Sequence, residues 1–374
     1  MRVHRPTGGV VLLLAAAFLG GCGVGGTPTA GPSDDGPART VPGPRLLAAS
    51  SGGAVVLDVA SGTIRGVARG GRQLWRDRAA RAAGAQVICQ AQCPDAVVSG
   101  QDPTAAEGGS PEKGPYQYVR GRRRPFPTPS APTRLVLTAR SGTDAVVAER
   151  DARGHTWLVA VAGTTTRRVP LPGDVRMDDV VWEESPGRDR AIAFAGNGSG
   201  DDRPLWRFRH DREGWRADGR PTRRGPSWGG CVAGDRAVLV GPRGAAMLVG
   251  DDRRVPLATG IGVVGECRLG PEGGVLVQRQ MDSDGRPATA LQGFGADGAA
   301  TWTRQFSSEA LVEVAPDGGR QAIVHDGVLD LLDRHGNVVG HRDQVSSALF
   351  TAEGELVTTT PSGQVRWLPP TALG

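Results

Sequence analysis

The chain's last repeat reads GHRDQVSSALFTAEGELVTTTPSGQVRWL, from Gly340 to Leu368. Three alternating apolar runs, SSALF, ELVTTT and QVRWL, are separated by turns at Glu353-Gly354 and Ser362-Gly363. Short alternating runs bounded by glycine and small polar residues predict antiparallel strands joined by hairpins. The same grammar extends back to Leu46 through AVVLDV, RLVLTA, DAVVAE, WLVAVA, RAIAFAG, RAVLVG, GVLVQR and QAIVHD. No helical period interrupts it.

The turns recur at an interval. Asp95, Gly142, Gly187, Gly234, Gly273, Gly318 and Gly354 each precede a β-rich run, at separations of 47, 45, 47, 39, 45 and 36 residues. A period near forty with several strands per unit predicts a β-propeller, whose blades are four-stranded sheets. A second marker is glycine followed four residues later by tryptophan, at Gly71/Trp75, Gly298/Trp302 and Gly363/Trp367. Degenerate copies sit at Gly62/Gly66 and Gly336/Gly340. Glycine supplies a positive-φ turn, and the indole fills space between neighbouring sheets.

VLDVASGTIRG (56–66) resembles the quinoprotein-type propeller repeat, with Gly66 where that repeat docks a tryptophan. The Gly340–Leu368 stretch is similar to a WD-type repeat, opening on Gly340-His341 and closing near Trp367. The likenesses imply an all-β propeller, and the seven turn markers with the further strands at 46–76 predict seven or eight blades over residues 45–370. The run LLAAS (46–50) is expected to pair into the last sheet, removing its free edge. Residues 102–133, rich in Pro, Gly and charge, are expected to form a long excursion between blades.

The N-terminus predicts an address. Arg2 and Arg5 precede an apolar core, Val10 to Leu19, too short to span a bilayer, so residues 1–21 read as an export signal. Leu19-Gly20-Gly21-Cys22 resembles the bacterial lipobox, which implies a diacylglycerol thioether on Cys22. Two acyl chains suffice for stable anchoring. Residues 22–44, without apolar periodicity, read as a flexible tether. The expected location is the outer face of the cytoplasmic membrane.

The other four cysteines are Cys89, Cys93, Cys231 and Cys267. An even count outside the cytoplasm predicts two disulfides, and the most local of three connectivities pairs Cys89 with Cys93 and Cys231 with Cys267. CxxxC without matching histidines is a poor zinc site.

Composition excludes more than it assigns. Forty-four basic residues against 39 acidic give a formal charge of +5, and nearly every basic residue is arginine. With abundant Ala and Gly this reads as high-GC coding of the actinobacterial kind rather than a nucleic-acid footprint, which needs arginine interleaved with stacking aromatics. One cluster, Arg120, Arg122, Arg123 and Arg124, lies beside Tyr116, Tyr118 and Phe126 and is a candidate patch for an anionic partner.

Catalytic signatures are weak. Gly196-Asn197-Gly198-Ser199-Gly200 places its glycine three rather than two residues before the serine, and no helix follows, so it fails the nucleophile-elbow pattern. Asp282 to Gly285 and Asn197 to Asp202 lack the closing carboxylate of a calcium loop and read as turns. His155, His210, His325, His335 and His341 fall in separate repeats, with His341 a WD-like hydrogen bonder that fixes blade geometry. No catalytic, metal or cofactor set is assigned. The expected function is a monomeric, non-catalytic scaffold or sensor for an envelope protein or ligand, with no nucleic-acid role. The alternative is an exported quinone- or metal-dependent oxidoreductase, or a hydrolase, with its site in the propeller channel.

Overall fold

The computed structural model describes residues 43–369, apart from 79–85, 90–92, 100–115, 126–132, 138–144, 152, 163–164, 172–179, 186–188, 196–202, 212–213, 225–228, 242–243, 250–252, 258–263 and 282–283. Cys22, the tether up to residue 42, and the glycine-rich 196–200 stretch therefore lie outside the described residues. Among the described residues every regular element is a strand, and the strands form eight antiparallel sheets. In chain order these span residues 45–78, 86–125, 133–170, 180–224, 229–257, 266–306, 311–343 and 347–368. Within a sheet the strands follow one another as a meander, except that Thr222–Arg224 of the fourth sheet also pairs with Arg203–Asp211. First strands touch between the first and second sheets and between each successive pair from the third to the eighth. The first strand of the eighth sheet, Ser347–Phe350, returns to that of the first, Arg45–Ser50. The fold is a β-propeller, with first strands innermost and last strands on the rim.

The first sheet and the fourth to eighth sheets pack apolar side chains on both faces, which is why apolar residues fall at consecutive positions in their central strands. Leu47, Val55, Leu57 and Ile64 of the first sheet pack on Ala96 and Tyr118 of the second. Val146 and Leu158 meet Trp182, Trp206 and Trp215 between the third and fourth sheets. Val238 and Met247 meet Leu276 and Phe294 between the fifth and sixth.

The turn markers among the described residues fall at equivalent places, while Gly142 and Gly187 lie outside them. Gly234, Gly318 and Gly354 lie between the first and second strands of their sheets, and Gly273 opens a second strand. The glycine-to-tryptophan marker has a different origin. Hairpins at 68–72, 295–299, 333–337 and 360–364 close alike: the first N–H donates to the carbonyl four residues on, and a glycine N–H returns to the first carbonyl. Those glycines, Gly71, Gly298, Gly336 and Gly363, have φ between 80° and 88°, the left-handed residue of a three-residue hairpin loop.

Gly66 is not a degraded docking position. It stands directly across from Trp75, and a Cβ on it would lie 2.1 Å from Trp75 Nε1. Gly293 and Trp302 repeat the arrangement, again at 2.1 Å. In both sheets the indole lies flat over a glycine of the neighbouring strand. Gly336, from the seventh sheet, also approaches Trp302.

Two further expectations change. LLAAS does not complete the last sheet; it is the innermost strand of the first, paired with Gly53–Asp58 across the Ser51-Gly52 turn. A two-residue hairpin brings that partner at once, whereas pairing with the last sheet requires closing a loop of about 300 residues. The eighth sheet accordingly has three strands among the described residues. The stretch read as an inter-blade excursion instead supplies Tyr116–Val119 and Arg122–Pro125, the outer hairpin of the second sheet, while Thr133 opens the third. Its proline and glycine frame two short strands; the surrounding 100–115 and 126–132 lie outside the described residues.

Of the predicted disulfides, Cys231–Cys267 is formed, with its Cα atoms 5.8 Å apart, and joins the innermost strands of the fifth and sixth sheets. Cys93 is disulfide-bonded as well; the side chain of Cys89 lies outside the described residues.

Gly66→Ala and Gly293→Ala should each lower unfolding free energy by about 1–3 kcal/mol through displacement of the covering indole. Gly265→Ala, where the nearest atom to an added Cβ is 3.9 Å away, should be near neutral. Denaturant melts followed by tryptophan fluorescence check this; equal effects at all three positions contradict the seating.

Candidate functional site

The basic cluster is built by a tight hairpin. Arg120 and Gly121 join its strands with φ of 50° and 77°, the mirror-image turn that suits the strand twist. A left-handed φ is costly for arginine, and the Arg120 N–H is held by Asp95 Oδ1 at 2.7 Å. Directly opposed residues share a face of the sheet, so Arg123 lies with its partner Tyr118, while Arg122 and Arg124 lie on the other face. Tyr118 stacks on Trp75, centroids 4.0 Å apart and planes 5° from parallel. Its hydroxyl donates to Asp77, which also pairs with Arg123 at 3.5 Å. Trp75 in turn donates to Pro94 O at 2.8 Å. All four arginines are exposed on a backbone anchored from below.

A second cluster corrects the reading of the histidines as isolated by repeat. His325 and His341 both reach Asp330 in the seventh sheet, at 3.2 and 2.8 Å. His325 lies against the Phe306 ring at 4.6 Å. His341 acts as the expected hydrogen bonder, with Asp330 as its partner. Burial works to raise the Asp330 carboxyl, but the hydrogen bonds from the two imidazoles outweigh it and hold it below its ordinary value. The bond to Asp330 raises His341, over slight desolvation, with Asp343 adding to the effect.

A third cluster sits on inner strands of the sixth and seventh sheets. Glu266 pairs with Arg279 at 2.8 Å and with Arg268 at 3.8 Å, and Arg279 reaches Glu309 at 3.1 Å. Burial pushes Glu266 up, yet the two guanidiniums hold it below the usual carboxylate range. Glu313, surrounded by protein but with partial access to solvent, is pushed up by burial; Arg268 opposes this and Glu266 reinforces it.

The fourth feature is a cleft of about 400 Å³ between the first and last sheets. Asp58, Arg65, Arg76, Ser362 and Gln364 line it. Arg65 stands directly across from Arg76 and donates to Gly363 O. Burial lowers its pKa, with Asp58 opposing and Arg76 reinforcing.

The structure brings together two of the named histidines and sets the named arginines on one hairpin. His155 instead pairs with Asp151 at 3.4 Å, and His210 packs edge-on to Trp215. Among the described residues no group of three or more His, Cys, Asp or Glu is placed to hold a metal ion. Asp77, Asp95, Asp330 and Glu313 were missed because each gains its role from a partner distant in sequence or across a strand. Only Asp330 left a trace, on a strand adjoining those of both histidines.

No family model matches the chain, and no curated protein matches it. Solved structures do. Hydrazine synthase from Kuenenia stuttgartiensis is similar at 11% identity and TM-score 0.40, covering 91% of this chain and 99% of that one. A putative TolB from Agrobacterium tumefaciens matches at 10% identity and TM-score 0.41, over 80% and 94%. The WD40 domain of coronin from Toxoplasma gondii matches at 11% and 0.32, over 50% and 58%. Likeness at these levels assigns no activity.

The His341–Asp330 pair predicts a pH response. Its contribution through His341 is complete below the ordinary histidine value near ~6.5 and fades as pH rises through the raised value. Through Asp330 it is present above the ordinary carboxylate value near ~3.9 and is lost as pH falls through the lowered one. Asp330→Asn should return the His341 titration, followed by NMR of the ring, toward its ordinary midpoint. An unchanged midpoint contradicts the pairing.

Proposed function

We propose that this chain is a membrane-anchored, extracytoplasmic β-propeller serving as a non-catalytic binding scaffold or sensor for an envelope protein or ligand. The observation that carries the reading is the exposed arginine hairpin of the second sheet, fixed by the Trp75–Tyr118 stack and Asp95. A rigid frame presenting cations at one edge spends little conformational entropy on association, the cost that weakens flexible binding surfaces. The Cys231–Cys267 disulfide suits an oxidising compartment, and the residues before Cys22 supply the export and lipidation signal.

Two experiments test the parts separately. Cys22→Ala should move the protein from the detergent phase to the aqueous phase on phase partitioning; unchanged partitioning rejects the anchor. Crosslinking and pull-down from intact cells should recover a specific envelope partner with the wild-type chain and lose most of it with Arg122→Ala/Arg124→Ala. Recovery of no partner, together with stoichiometric metal or quinone in the purified protein, overturns the scaffold reading and favours an exported enzyme.

A further inference from the structure

The sheet topology sorts charge along the radius of the propeller. The outermost strands of the eight sheets are QLWRDR, RRRP, TTRRVP, GWRA with TRR, RRVPL, ATWTRQF, VVGHRD and VRWL. They contain fifteen arginines and two acidic residues, Asp77 and Asp343. The innermost strands contain three arginines and four glutamates. Arg76, Arg122, Arg124, Arg253, Arg254 and Arg366 are all exposed, on the first, second, fifth and eighth sheets.

Three ordinary causes fall short of this pattern. Charge on an edge strand prevents edge-to-edge pairing, but either sign does that, and the rim uses fifteen arginines against two acidic residues. Aspartate is disfavoured in strands, but this sequence places Glu183, Glu184, Glu266 and Glu313 in inner strands. An arginine-rich composition cannot be the whole cause either, because the inner strands of the same chain are not basic. The near-balanced formal charge of +5 conceals a basic rim.

We propose that this rim binds a flexible polyanion, a linear polymer with repeating phosphate or carboxylate groups, which follows the circumference across several sheets. Resting on the scaffold reading above, this names the ligand class and extends the contact surface beyond the hairpin. The arrangement favours a flexible chain over a flat anionic surface. A plane touches a cylinder along one line, whereas exposed arginines occur on sheets on separate sides of the ring. Between neighbouring sheets, screening at physiological salt over a Debye length of about 8 Å leaves each arginine group a largely separate contact, so affinity grows with the number of sheets spanned.

The test uses the full-length chain in detergent micelles, with inorganic polyphosphates of increasing length as the probe. Affinity should rise with polymer length well beyond that of tripolyphosphate and fall steeply with salt. Arg253→Glu/Arg254→Glu, three sheets away from the hairpin, should weaken long-polymer binding about tenfold or more while leaving tripolyphosphate binding at the hairpin unchanged. Circular dichroism and the thermal midpoint verify that the variant is folded. Long-polymer affinity equal to that of tripolyphosphate, or a fifth-sheet variant that binds long polymer as wild type does, overturns the rim. So does preferential binding to anionic vesicles or to duplex DNA over polyphosphate. Loss of an envelope partner with the hairpin variant alone, alongside an inert rim, leaves the scaffold reading standing and rejects only this extension.

Discussion

A ring of sheets holds only if the last meets the first, and here that junction depends on side chains. The Leu46 N–H donates to Ser347 Oγ at 2.7 Å, and Ser346 and Thr359 hydroxyls both donate to Pro44 O, at 2.8 and 3.1 Å. Trp367 donates to Ser50 O at 3.0 Å, and Arg69 grips Glu355. Beneath these bonds Leu46, Ala49, Val56 and Val67 pack against Val357, Val365 and Trp367. The apolar contacts supply most of the stabilisation, at roughly 1.5–3 kcal/mol for each large side chain fully buried. The hydrogen bonds, each contributing about 1 kcal/mol net, set the register. The exposed Arg69–Glu355 pair adds little.

The same economy recurs inside the sheets. An indole lying over a glycine needs both residues, so the glycine at 66 is as informative as the tryptophan at 75. From the sequence alone the spacing within the hairpin was visible, but the partner across the strand was not. That is why Gly66 looked like a missing tryptophan. Turn spacing and strand alternation made the fold class legible, because they are local. Strand assignment for LLAAS and for residues 102–133 was not, because it depended on which of two partners lay nearer along the chain. Proline-rich composition also disguised two four-residue strands.

The candidate site was legible in part. Three consecutive arginines mark an exposed segment, but only the structure reveals that Tyr118, Asp77 and Asp95 hold them on a fixed hairpin. The sorting of arginine to the rim was hidden for a different reason. Net charge sums over the whole chain, and acidic residues of turns and inner strands cancel the rim in that sum. Knowing which strand lies outermost in each sheet separates the two populations. Composition was therefore a poor guide to the field a partner meets.

A closed ring makes the rim continuous and gives the hairpin a rigid neighbour. Hydrogen exchange read by mass spectrometry tests that most directly, by comparing residues 45–50 and 347–368 with the fifth sheet, 229–257. A seam closed by the bonds above predicts that the first and last sheets exchange together, at rates approaching those of the fifth. An eighth sheet that exchanges orders of magnitude faster, as an independent unit, would mean that the ring is open and would contradict the account.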